Sequence, residues 1–168
     1  MTIDFSADEI FEMAQQVERN GATFYRRAAA AVPDPSDREL LLELAAMEDD
    51  HERVFASMRE DVLGSGEGPT PFDPQGEAAA YLRAIADGQV FDMDPDPAKF
   101  LEYHHGADDI LRKAIALEKE SIIFYTGMKE MVSKRLGKER IEQIIREEMK
   151  HVVSLNRALA AGQGSVSD

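Results

Sequence analysis

The chain contains no cysteine. That excludes a disulfide framework, a zinc ribbon and a cysteine-ligated iron–sulfur cluster within it, and it fits a reducing compartment such as the cytoplasm. Basic residues are scarce, with 19 Lys and Arg against 33 Asp and Glu and a formal charge of −14. Such a surface repels phosphate, so no nucleic-acid partner is expected, whereas metal cations would be drawn toward it. No apolar run approaches the ~20 residues needed to span a bilayer, so no membrane association is expected. The opening stretch Met1–Glu9 has neither the basic nor the apolar segment of a signal peptide, and none is expected.

What is present is a chain of 168 residues, 43% apolar and 31% charged, patterned for helices throughout. That length suits one domain, residues 1–168, with a substantial buried core. Residues 6–63 read as a helical hairpin. Ser6 and Glu9 form a capping box, followed by Phe11, Ala14, Glu18, Ala22, Tyr25 and Ala29 at helical spacing. Pro33 and Pro35 are expected to stop this helix, and Ser36 and Glu39 to cap the next. The second helix carries Leu41, Leu44, Ala45, Glu48, His51, Phe55 and Met58 on one face. Residues 107–161 read as another hairpin, one helix from Ala107 to Ser133 and one after Leu136 and Gly137. A polar tail, 162–168, is expected to fray. The 64–106 crossover contains a short helix over Glu77–Asp87 and an irregular stretch over Phe91–Pro97. It is long enough to run the length of a ~25-residue helix, roughly 38 Å. The fold class is therefore all-α: a four-helix bundle of two hairpins joined by a long crossover.

The two hairpins repeat one chemical pattern at a constant offset. Glu18, Phe24, Tyr25, Glu48 and His51 recur as Glu118, Phe124, Tyr125, Glu148 and His151. Apolar neighbours at helical spacing, such as Ala14 and Ala22 around Glu18, turn the glutamates inward. Antiparallel helices joined near Pro33 bring Glu18 and Glu48 to one height, and Glu48 and His51 share a face at i and i+3. Four buried carboxylates repel one another and cost several kcal/mol each to desolvate, so they must protonate or surround cations. Two divalent ions neutralise four carboxylates, and imidazole nitrogens suit iron and manganese as well as zinc. Glu18, Glu48, His51, Glu118, Glu148 and His151 are thus the candidate ligands of a dinuclear site.

These six residues and their order resemble the ferritin-like superfamily over residues 6–160, and its rubrerythrin-like branch more than shell-forming ferritin. The resemblance implies two iron ions, oxidoreductase activity of the ferroxidase or peroxidase type, and dioxygen or peroxide as the oxidant. It implies Glu48 and Glu148 as bridges, Glu18 and Glu118 as terminal carboxylates, and one histidine per metal. A peroxidase would also need an electron donor. Two departures stand out: Ser121 occupies the place of an additional rubrerythrin glutamate, and the rubredoxin domain is missing. With 17 residues after His151, no fifth helix of useful length is expected. Iron binding or storage without turnover, and di-manganese catalase-like chemistry, are the alternatives. A homodimer is expected.

Tyr25 and Tyr125 lie two turns beyond Glu18 and Glu118. Their hydroxyls either hydrogen-bond a ligating carboxylate or find another acceptor in the core, and the sequence leaves both open. His104 and His105 are an exposed loop pair or an accessory metal site. Met47, Met58, Met128, Met131 and Met149 read as core or interface filler.

Overall fold

The computed structural model describes residues 7–64, 77, 80, 81, 84, 96–103 and 106–164. Four long helices account for most of them: α1 (Ala7–Ala31), α2 (Pro35–Gly64), α3 (Ala107–Met131) and α4 (Lys138–Gly164). Short 3-10 segments cover Pro97–Glu102 and Lys134–Leu136, and there is no strand among the described residues. Helices α1 and α2 pack along their length, as do α3 and α4. None of the described helices is long and apolar enough to cross a membrane.

The start of α2 differs from the sequence expectation. Pro35 begins this helix instead of ending the previous one, and Asp34, not Ser36, is its cap. The Asp34 carboxylate accepts from the backbone N–H of Ser36 at 2.8 Å and of Asp37 at 3.3 Å. Pro35 has no N–H to lose in the first turn, which makes Asp-Pro a better helix start than the serine box two residues further on. The other capping box, at Ser6, lies outside the described residues.

Helix α3 stops at Met131, two residues short of Ser133, because the Ser133 hydroxyl accepts from Leu136 N–H and caps a separate 3-10 turn. Gly137 closes that turn with φ 96°, a left-handed conformation, and a Cβ there would lie 3.0 Å from Met58 Cε. Only glycine satisfies both constraints. Helix α4 continues through 162–164, expected to fray, and residues 165–168 lie outside the described set. So do His104 and His105. Of the predicted crossover helix, Glu77, Ala80, Tyr81 and Ala84 are helical and the rest is outside the description, as are residues 91–95. Tyr81 donates to the backbone carbonyl of Ile123 at 3.1 Å, which ties that segment to α3.

The buried apolar side chains form two separate clusters. One contains Phe11 and Ala14 of α1, Phe55 and Met58 of α2, Phe124 and Met128 of α3, and Ile141 and Ile144 of α4. The other holds Phe24 and Ala28, Leu41 and Leu44, Ile110 and Leu111, and Leu155 and Leu159. In these clusters the start of α1 meets the ends of α2 and α3 and the start of α4. Helix α3 therefore runs antiparallel to α1, and the link from α2 to α3 must traverse the bundle from end to end. Met58, Met128 and Met131 are buried in the core, whereas Met149 is half-exposed and stands outside it.

Candidate metal centre

Between the two apolar clusters lies a layer of polar side chains, contributed by the middle turn of each helix. Glu18, Glu48, His51, Glu118, Glu148 and His151 are all at most 4% exposed. All six predicted residues converge. His51 Nδ1 lies 3.0 Å from Glu148 Oε1 and 3.7 Å from both Glu18 Oε2 and Glu48 Oε2. His151 Nδ1 lies 3.0 Å from Glu148 Oε2, 3.3 Å from Glu118 Oε1 and 3.5 Å from Glu48 Oε1. Glu48 and Glu148 thus turn one oxygen to each histidine, while Glu18 faces only His51 and Glu118 only His151. The two imidazole rings stack with centroids 5.7 Å apart.

These residues resolve into two overlapping groups of four, Glu18, Glu48, His51 and Glu148, and Glu48, Glu118, Glu148 and His151. Within each group one ligand atom per residue can be chosen so that all lie within 4.8 Å of one another. His51 Nδ1, both Glu148 oxygens and both ring nitrogens of His151 are buried with no hydrogen-bond partner among the described residues. Buried polar atoms are normally satisfied, and leaving several unsatisfied in one place costs about 1–3 kcal/mol each. Lone pairs that converge without hydrogen-bond geometry are what a pair of cations requires, so this donor set fits a dinuclear metal.

Protonation tells the same story. Burial, and then the negative charge of Glu48, push the Glu18 carboxyl well above its usual range. Burial and Glu148 do the same to Glu118. Burial also pushes Glu48 and Glu148 upward, but the carboxyls and imidazoles packed against them outweigh it and leave both below the ordinary value. Desolvation opposes charge on the imidazoles, yet the surrounding carboxylates prevail. His51 is raised strongly and His151 is pushed up to about 12. Without metal, the centre therefore stays close to neutral by holding protons.

Tyr25 and Tyr125 join this layer from the apolar clusters on either side. Tyr25 Oη donates to Glu118 Oε1, and Tyr125 Oη donates to Glu18 Oε1. Each hydroxyl serves the other hairpin's carboxylate. A helical side chain leans toward its own N-terminus, so in antiparallel helices each tyrosine points back along the bundle to the opposite glutamate. Both rings are buried in the core, at 1% and 0% exposed, and of the two acceptors open in the sequence their hydroxyls take the carboxylates of the polar layer. Burial raises both phenols further, which keeps them donors.

Two features were not foreseen. Glu147, the residue before Glu148, places Oε2 2.8 Å from His51 Nε2. A residue adjacent to a ligand points about 100° off the ligand stripe, and its partner at the equivalent place in the first hairpin is Met47, so the repeat concealed it. The second is a cavity of about 50 Å³ lined by Val17, Gly21, Tyr25, Glu48, Pro97, Leu117, Glu118 and Ser121 among others. Gly21 and Ser121 occupy equivalent places in the two hairpins, and both are small. Ser121 Oγ donates to the Glu118 carbonyl of its own helix, so this position carries no additional carboxylate.

A crystal structure from Thermotoga maritima, of a protein assigned as ferritin-like diiron-carboxylate, superposes on this chain with TM-score 0.68. The match covers 95% of this chain and 98% of that one at 21% identity. The fold is ferritin-like. No protein-family model matches the sequence, and no curated protein matches it. The ferritin-like bundle accounts for the end-to-end crossover and for the placing of the polar layer at mid-height, where all four helices contribute to one site.

Proposed function

We propose that the chain is a non-haem di-iron carboxylate protein that oxidises ferrous iron, with dioxygen or peroxide as the electron acceptor. The observation carrying this reading is that Glu48 and Glu148 belong to both four-residue groups, while Glu18 with His51 and Glu118 with His151 each belong to one. Two shared carboxylates and two unshared ligand pairs are the donor set of two adjacent ions. When bound, the iron pair would supply the electrons for reducing the oxidant. Glu48 and Glu148 would hold both ions, with Glu18 and His51 completing one set and Glu118 and His151 the other. Tyr25 and Tyr125 hold the outer glutamates in place. The cavity beside Gly21 and Ser121 gives a small oxidant a way to the centre between α1 and α3. Its lining includes Tyr25, Glu48 and Glu118, so a molecule there would lie against the ligands themselves.

The test is anaerobic loading with ferrous iron, followed by stopped-flow mixing with dioxygen or hydrogen peroxide. Binding should saturate at about two irons per chain. Ferric absorbance should then rise faster than for free iron, and Glu48→Ala should abolish that advantage. Uptake of many irons per chain would support storage instead, and oxidation no faster than in buffer would refute turnover.

A further inference from the structure

The two halves of the centre match residue for residue in their ligands but not in what supports their histidines. His51 has Nδ1 among the carboxylates and Nε2 against Glu147 Oε2 at 2.8 Å. The other Glu147 oxygen accepts from the Gln143 side chain at 3.1 Å, one turn earlier in α4, so the carboxylate is itself fixed. In the first hairpin the corresponding residues are Glu43, which is exposed and lacks an amide donor, and Met47. His151 Nε2 is buried and has no hydrogen-bond partner among the described residues. A thioether is at best a weak acceptor and carries no charge.

We infer that the two metal positions are inequivalent: the position served by His51 is the tight one and fills first, because Glu147 orients and polarises His51 while no described residue serves His151 Nε2 in that way. This rests on the dinuclear reading above and specifies the order in which that site is loaded. A carboxylate on the far nitrogen holds an N–H on Nε2, so Nδ1 is the nitrogen that would give up its proton and face a metal. It also makes the imidazole a stronger donor. His151 Nε2 has no such carboxylate among the described residues, so its ring is neither fixed nor strengthened as a donor in that way. Glu147 is thus a positioning residue that acts through His51. Losing such a partner typically lowers metal affinity about 10–100-fold, and a gap of that size is expected between the two positions.

Zinc and cobalt(II) test this without redox chemistry. The full chain is loaded with one zinc per chain, and anomalous diffraction at the zinc edge reads the occupancy of each position. In parallel, cobalt(II) titration is followed by its visible absorption. The wild-type protein should place most of the zinc beside His51 and show two resolved binding steps. Glu147→Gln should bring the two steps to within a few-fold of each other, and Glu147→Asp should restore part of the gap. Met47→Glu, made alone, should tighten the second step and leave the first unchanged, a gain no general loosening of the fold would produce. Equal zinc occupancy in the wild type, or a step ratio that neither Glu147→Gln nor Met47→Glu alters, overturns the inequivalence while leaving a dinuclear site intact. Failure to bind either ion overturns the dinuclear reading itself.

Discussion

Loading two divalent ions into this centre should expel about four protons, because four carboxylates need four positive charges whether metals or protons supply them. In the metal-free chain both imidazoles are held charged, His151 with a value pushed up to about 12 and His51 raised likewise. The Glu18 and Glu118 carboxyls are pushed well above the ordinary 4.5. Metal displaces the proton from each histidine Nδ1 and from each of these two carboxyls. An unperturbed cluster behaves differently: at pH 7 two ordinary histidines carry only about half a proton between them, and ordinary glutamates none. Calorimetric titration with zinc in buffers of different ionisation enthalpy measures the number directly. The apparent affinity should also climb with pH, by up to about four decades per unit while all four groups remain protonated. Release of less than one proton at pH 7 would refute the picture of a centre that neutralises itself with protons.

Other substitutions and conditions separate the roles of individual residues. Glu48→Ala should reduce bound metal at both positions, whereas Glu18→Ala should reduce mainly the one beside His51, as elemental analysis after desalting will show. Tyr25→Phe removes the hydrogen bond to Glu118 and should cost about 2 kcal/mol, a fall in melting temperature of roughly 4–8 °C for a chain of this size. Gly21→Ala should stabilise α1 by up to about 1 kcal/mol, since its Cβ would meet Glu48 Cγ at an ordinary 3.5 Å, yet it narrows the cavity and should slow oxidation in stopped flow. In the metal-free chain, the stability due to the raised Glu18 and Glu118 is complete below about pH 4.5 and is lost as pH rises through their folded values. The lowered Glu48 and Glu148 work in the opposite sense, contributing above about pH 4.5 and losing that contribution as pH falls through their folded values. Melting curves with and without chelator should therefore diverge as pH rises from 5 to 9, and parallel curves would count against the metal as the counter-charge.

The helices and the ligand layer were legible because each rests on a repeated pattern. The inward stripe around Glu18, Glu48, Glu118 and Glu148 follows from i±4 apolar neighbours, and its doubling in two hairpins makes convergence the simplest outcome. Where only one half carries the feature, the repeat hides it. Glu147 looks like a solvent-facing charge beside a ligand, and only the packing of α2 on α4 shows that it meets His51. Which carboxylate each tyrosine meets was not legible, since helical spacing measures distance along one helix and says nothing of an antiparallel neighbour. The α2 cap was misread for a local reason: Asp34 and Ser36 compete as caps two residues apart, and both satisfy the composition rule. The cavity depends on Pro97, whose approach to α1 and α3 no periodicity records.

The separation of the apolar core into two clusters has a consequence for how the molecule comes apart. Hydrophobic contacts act only at van der Waals range, so one end of the bundle senses the other through the helices and through the six side chains between them. With ions bound, those side chains are tied across all four helices, and opening either end must strain the same bonds. Without ions the tie is a set of shared protons and two crossed tyrosine hydrogen bonds, and the ends are free to open at different rates under amide hydrogen exchange. Ions held in this layer would therefore couple the two ends, so that the bundle melts as one body with them and can melt as two without.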